Sequence, residues 1–234
     1  MSTSQPLKPG PMTGNSGKPN ARLFVVDDHP IVRGGLVELI NKEPGLEVCG
    51  EASNAQDAMQ MIAKVKPNLV IADVSLDGTN GIELIKNLSA RHPSLPILAF
   101  SMHDEVIYAE RALRAGAKGY IMKQEPAEKL MTAIQRALKG QIALSENMSS
   151  RLLGQFVGAP TQVQNISPVD RLSDRELEVL QLMGKGLSTT QIADQLFLSV
   201  KTIETYREHL KQKLKLNSGQ ELLRYAIEWS LNQA

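Results

Sequence analysis

Cysteine is nearly missing from this chain: Cys49 stands alone among 234 residues. A single thiol excludes both a disulfide framework and a Cys-x-x-Cys metal site. It falls in the strand-like run Leu46-Glu47-Val48-Cys49, where it is expected as a small buried thiol. Long apolar runs are missing as well, since no stretch approaches the ~20 residues needed to span a bilayer. An excess of either charge is also lacking: Lys and Arg number 26 against 25 Asp and Glu, a net charge of +1. Any nucleic-acid surface must therefore be local. Met1 to Asn20 is rich in Pro, Gly, Ser, Asn and Lys but has no hydrophobic core, so it is not expected to be a signal peptide. It is expected as a disordered tail. His29, His92, His103 and His209 lack the spacing of metal ligands, so no transition-metal site is expected. A cytoplasmic protein with no membrane partner is the expectation.

What is present begins with Asn68-Leu69-Val70-Ile71-Ala72-Asp73-Val74. Its continuous apolar run is that of a central parallel strand buried on both faces. Asp73 is the first charge after the run, at the carboxyl edge, where open α/β sheets bind their ligands. Leu23-Phe24-Val25-Val26 likewise ends on Asp27-Asp28. From Arg22 onward strand and helix patterns alternate five times. The strands read as Arg22–Val26, Leu46–Glu51, the Asp73 run, Ile97–Ser101 and Gly119–Met122. The helices read as Pro30–Asn41, a segment capped by Ser53 and running through Lys64, Gly81–Arg91, Glu105–Ala115 and Pro126–Lys139. Such alternation argues for a doubly wound α/β fold, a five-stranded parallel sheet covered by helices on both faces.

Periodicity then weakens. The expected division is a tail at 1–20, an α/β domain at 21–143, a linker at 144–170 with a short helix near Ser149–Phe156, and a helical domain at 171–234. Ser173-Asp174-Arg175-Glu176 and Ser188-Thr189-Thr190-Gln191 are capping boxes. Each opens a short amphipathic helix. Ser199 caps a longer third helix, and a fourth runs from Ser218 to Ser230. A tight turn at Phe197-Leu198 makes the middle pair a helix-turn-helix within a small four-helix, all-α unit.

Adjacent parallel strands would bring Asp27, Asp28 and Asp73 together, and their mutual repulsion demands neutralisation. A hard cation with oxygen ligands provides it, and Mg²⁺ fits a site with few carboxylates. A carboxylate beside Mg²⁺ can attack phosphorus. Ser101 ends the fourth strand with a hydroxyl able to hydrogen-bond a phosphoryl oxygen. Lys123 ends the fifth with a positive charge to pair with it.

Asp27-Asp28, Asp73, Ser101 and Lys123 at successive strand ends resemble response-regulator receiver domains, with their flavodoxin- and CheY-like sheet. The flanks Val-Val-Asp-Asp-His-Pro, Ala115-Gly116-Ala117-Lys118-Gly119-Tyr120 and Lys123-Gln124 match as well. The resemblance implies that Asp73 is the phosphoacceptor for a histidine kinase. It implies that Asp27, Asp28, Asp73 and the Ser75 carbonyl hold Mg²⁺, and that Lys123 pairs with the phosphoryl oxygens. Ser101 and Tyr120 would be the switch pair, the hydroxyl moving to the phosphoryl group and the ring turning inward. Ser75 and His103 occupy positions the family uses to tune phosphoryl lifetime. Asp77 departs from the pattern, standing where the family often has proline, but it removes no required group.

At the helical end, Lys201, Arg207, Lys211, Lys213 and Lys215 lie against only Glu204 and Glu208. The apolar stripe leaves Lys201, Glu204, Thr205, Glu208 and Lys211 on an outer face able to enter a major groove, with Arg207 near enough to neutralise phosphate. Leu172-Ser173-x-Arg175-Glu176, Gly186-Leu187-Ser188, Gln191-Ile192-Ala193 and Ser199-Val200-Lys201-Thr202-Ile203-Glu204-Thr205-Tyr206 resemble the LuxR-type DNA-binding domain. Tyr206 replaces a histidine common there. The resemblance makes Leu222, Leu223, Ala226 and Ile227 of the last helix a candidate dimer surface, although core packing explains the same stripe equally well.

Together these segments resemble a NarL/FixJ-type two-component response regulator. That implies a transcriptional regulator controlled by Asp73 phosphorylation, binding paired DNA half-sites as a homodimer, and catalysing nothing beyond its own phosphoryl transfer. Two other readings are open. A phosphatase with an aspartyl-phosphate intermediate resembles Asp-x-Asp at the nucleophile, but Ser75 holds the second position and the helix-turn-helix is left unexplained. A receiver that works unphosphorylated, as an interaction or dimerisation module, is opposed by the complete set of five site residues.

Overall fold

A computed structural model of the chain describes residues 21–76, 79–156 and 168–231. The tail at 1–20 and Asp77 lie outside the described residues. In chain order, β1 (Ala21–Val26), α1 (Pro30–Lys42), β2 (Leu46–Ala52), α2 (Ala55–Val65) and β3 (Leu69–Asp73) come first. A two-residue-per-strand hairpin follows, β4 (Ser75–Leu76) and β5 (Thr79–Asn80). Then come α3 (Gly81–Arg91), β6 (Ile97–Ser101), α4 (Glu105–Ala115), β7 (Gly119–Met122) and α5 (Ala127–Leu138). Beyond the sheet lie α6 (Glu146–Phe156), a 3-10 turn (Pro168–Arg171), α7 (Asp174–Gly184), α8 (Thr189–Gln195), α9 (Val200–Leu214) and α10 (Gly219–Leu231).

The five long strands form one parallel sheet in the order β2-β1-β3-β6-β7. Its order reverses between β1 and β3, which opens a crevice at their carboxyl ends. Strand alternation divides the core into two faces. Leu23, Val25, Leu69, Ile71, Leu98 and Phe100 point to one, where Leu36 and Ile40 of α1 and Leu130 and Ile134 of α5 cover them. Phe24, Val26, Val70, Ala72, Ile97 and Ala99 point to the other, beneath α2, α3 and α4. That second apolar cluster continues without a break into the interior of the helical unit, through Leu172, Leu177 and Leu180 of its first turns.

Three expectations need adjustment. The cap of α2 is Asn54, whose side chain accepts from the Asp57 N–H, and not Ser53. Cys49 is half-buried because β2 is an edge strand with only β1 beside it. The helix within the linker begins earlier, at Glu146, where the Ser145 hydroxyl accepts from the Met148 N–H. Among the described residues no helix is long and apolar enough to cross a membrane.

Candidate functional site

Register sets the acidic crevice. Val26 pairs with Ala72 across β1 and β3, so the residues that follow, Asp27 and Asp73, emerge side by side. Both are buried, as is Ser101. One carboxylate oxygen each from Asp27, Asp28 and Asp73 lies within 4.8 Å of the others and of a His29 ring nitrogen. Gly81 allows the close packing beneath them, for a Cβ there would run into the Asp73 carbonyl and the Val74 backbone.

Lys123 follows the last residue of β7 and reaches across the sheet edge. Its Nζ lies 2.7 Å from Asp27 Oδ2 and 2.7 Å from Asp73 Oδ2. The other Asp73 oxygen, Oδ1, accepts from the Ser75 N–H at 3.0 Å. Burial raises the Asp73 pKa to about 6, against the opposing pull of Lys123 and the Ser75 amide. Burial alone would lower Lys123, but Asp73 and Asp27 outweigh it and raise its pKa. Asp27 Oδ2 is buried, with the Lys123 ammonium as its ion-pair partner. Buried, crowded carboxylate oxygens with one lysine between them are the donor set a hard divalent cation fits. His29 joins this cluster through its place after Asp28, not through ligand spacing, and its Nδ1 donates to Asp28 Oδ1 at 2.7 Å.

Ser101 and Tyr120, expected as a switch pair, both bond the backbone of the β6–α4 turn. Ser101 Oγ accepts from the His103 N–H at 3.1 Å. The Tyr120 ring is already inward, 2% exposed, with its hydroxyl donating to the His103 carbonyl at 2.8 Å.

In the helical unit, Ser173 and Ser188 each close a capping box, with Glu176 and Gln191 as partners. Ile203, Leu210 and Leu214 of α9 point inward, leaving Lys201, Glu204, Thr205 and Glu208 exposed. Lys211 pairs with Glu208 at 2.8 Å. Arg207 bonds Thr189 Oγ1 at 2.8 Å and so braces α9 against α8. Lys213 is drawn to the buried Glu176 at 2.6 Å. The four residues expected as a dimer surface divide. Leu222 and Ala226 are fully buried, with the Ala226 carbonyl close against Gly184 of α7, so these two are core. Leu223 and Ile227 are about two-fifths exposed, at 41% and 40%.

The two units touch through contacts that no sequence pattern announces. Arg111 of α4 donates to the Leu172 carbonyl at 2.8 Å, to Asp174 Oδ1 at 2.9 Å and to the Val169 carbonyl at 3.1 Å. Asn80 donates to Glu178, and the His103 ring meets Gln181. An α/β domain with an acidic crevice at its sheet edge, its β6–α4 turn against a helix-turn-helix unit, is the class of protein these features define.

Comparison with known proteins agrees. Residues 23–135 match the response regulator receiver domain, and residues 170–226 match the bacterial regulatory proteins of the luxR family. The oxygen regulatory protein NreC of Staphylococcus carnosus is 35% identical over 213 residues, covering 90% of this chain and 98% of that one. The structure of RcsB from Salmonella enterica serovar Typhimurium bound to promoter rprA, with the phosphomimetic BeF3−, superposes with a TM-score of 0.62 at 28% identity. It covers 88% of this chain and 98% of RcsB. A response regulator of the LuxR family from Aurantimonas has a TM-score of 0.55 at 36% identity, covering 59% of this chain and 99% of its own. The chain belongs to the NarL/FixJ family of response regulators, with a receiver domain and a LuxR-type DNA-binding domain.

Proposed function

We propose that Asp73 accepts a phosphoryl group from a sensor histidine kinase, and that this governs how the chain binds paired DNA half-sites as a homodimer. The observation that carries the reading is the meeting of Asp27, Asp28, Asp73 and Lys123 at the sheet's switch point. Asp27, Asp28, Asp73 and the Ser75 carbonyl would hold Mg²⁺, whose charge offsets that of the incoming phosphoryl oxygens. An Asp73 carboxylate oxygen attacks phosphorus, the donor's P–N bond breaks, and an acyl phosphate forms. Lys123 exchanges its ion pair with Asp73 for one with the phosphoryl group. Ser101 Oγ turns to donate to a phosphoryl oxygen. Water later cleaves the acyl phosphate, and the chain needs no further catalytic chemistry. In DNA recognition, Lys201, Glu204, Thr205, Glu208 and Lys211 would enter the groove, with Arg207 near enough to neutralise phosphate. Leu223 and Ile227 are what remains of the dimer surface. The cytoplasm, where both DNA and a kinase's phosphohistidine are met, is the compartment that suits these partners.

The test is intact mass after incubation with acetyl phosphate and Mg²⁺. The wild type is expected to gain one phosphoryl group, and Asp73→Ala none. A wild type that gains nothing, in Mg²⁺ and from any small donor, would leave the receiver as a phosphorylation-independent interaction module.

A further inference from the structure

His103 has every polar group engaged. Its N–H donates to Ser101 Oγ and its carbonyl accepts from the Tyr120 hydroxyl. Its ring Nε2 lies 2.6 Å from Ser75 Oγ, and its Nδ1 lies 3.3 Å from Gln181 Nε2 of α7. The ring face stacks on Tyr108 of α4, with centroids 4.7 Å apart and planes 21° off parallel. The Gln181 amide nitrogen only donates, so Nδ1 must accept, the ring's one proton sits on Nε2, and Ser75 Oγ receives it. Burial lowers the ring's pKa to about 4, in keeping with this neutral form. Both switch contacts therefore fall on the backbone of the residue whose side chain spans the two domains. Ser75, at the other end of the ring, lies two positions beyond Asp73 and donates its own N–H to it.

We propose that His103 is the positioning residue that transmits the state of Asp73 to the DNA-binding domain, through Ser75 on one ring nitrogen and Gln181 on the other. This rests on the reading of Asp73 as phosphoacceptor. When Ser101 Oγ turns to a phosphoryl oxygen, the amide of His103 follows it or loses its acceptor. Tyr120 holds the same residue by its carbonyl, so the turn moves as a unit and carries the ring. An imidazole bonded at both nitrogens and stacked on one face has no slack, so the displacement falls on the long contact to Gln181. The docked and released arrangements are then the two states that phosphorylation biases.

Met102, His103, Tyr108, Gln181, Lys185 and Trp229 line a cleft of about 190 Å³ at this junction. Trp229 is the chain's single tryptophan, so its emission reports on docking. The test uses the full chain and a duplex enriched from a random-sequence library by the wild type treated with acetyl phosphate and Mg²⁺. DNA affinity is measured with and without acetyl phosphate for wild type, His103→Ala, Gln181→Leu and the double variant. Phosphoryl gain is followed by intact mass. The wild type is expected to show a ratio within the 5- to 150-fold range of ordinary allosteric couplings. Each single variant should reduce that ratio at least threefold, the double variant no further than the stronger single one. Gln181 lies outside the receiver, so Gln181→Leu should gain its phosphoryl group at the wild-type rate, and its Trp229 emission should hardly respond to acetyl phosphate. A Gln181→Leu chain that gains mass and keeps the wild-type ratio overturns the role of His103 alone, as do single effects that multiply in the double variant. A wild type that gains no mass overturns the Asp73 reading, and this inference with it.

Discussion

Asp73 is held under opposing pressures: burial against its charge, and Lys123 with the Ser75 amide in favour of it. Burial prevails, and in the metal-free protein the pKa stands at about 6 instead of the ordinary 3.8. The folded chain thus holds a proton on Asp73 that the unfolded chain has released. The stability this group contributes is complete below pH 3.8 and is lost as pH rises through about 6. A divalent cation in the crevice must displace that proton. Mg²⁺ affinity is therefore expected to be steady above about pH 6 and to fall below it, by up to tenfold per pH unit for one proton. Calorimetric titration at neutral pH and near pH 5 measures this, and an unchanged affinity would contradict the assignment of Asp73 to the metal site.

Among the elements, α7 and α10 show how closely two helices approach when one contributes glycine. A Cβ on Gly184 would lie 2.5 Å from the Ala226 carbonyl oxygen and 2.8 Å from Ser230 Cβ. Gly184→Ala is expected to force the helices apart and cost about 1–3 kcal/mol, the usual range for overpacking. Thermal melting checks this, and an unchanged or raised melting temperature would contradict the packing described. The five long strands and the ten α-helices of the described residues could be read from the sequence, most of them because each carries its own periodicity and caps. The capping boxes at Ser173 and Ser188 are local patterns of four residues, and the structure forms both. The acidic crevice was legible for a similar reason: strand ends are fixed by the strands themselves, and parallel order then brings them together. What sequence could not supply was contact across long separations. Arg111 bonds residues about 60 positions away, at separations of 58, 61 and 63. Neither it nor the ring of His103 stands in any repeating pattern. The division of the α10 stripe was hidden for another reason: helical periodicity marks an apolar face without saying whether α7 or a second chain covers it. The β4–β5 hairpin is too short for strand alternation to show.

For the whole molecule, the docking of the two domains leaves the proposed recognition face of α9 open. Lys201, Glu204, Thr205 and Glu208 are exposed with the receiver in place, so the receiver does not restrain DNA binding by covering α9. It fixes the orientation of the helical unit, which bears on whether two copies can meet two half-sites together. Arg111 is the strongest link. Its side chain is 14% exposed and bonds three acceptors, whereas Arg175 and Glu83 are 3.8 Å apart and more solvated, a kind of pair that contributes little. Arg111→Met is expected to loosen the domains without disturbing the acidic crevice. Small-angle scattering should show a larger radius of gyration than wild type, while phosphoryl gain by intact mass stays normal. An unchanged radius would assign the docking to the apolar contacts instead. The most direct measurement of the central claim is the affinity of the full chain for its enriched duplex before and after acetyl phosphate and Mg²⁺, with Asp73→Ala alongside. Phosphorylation at Asp73 as the control of DNA binding predicts a rise of at least fivefold in the wild type and none in the variant. Equal affinities before and after, in a wild-type chain whose mass shows the phosphoryl group in place, would contradict it.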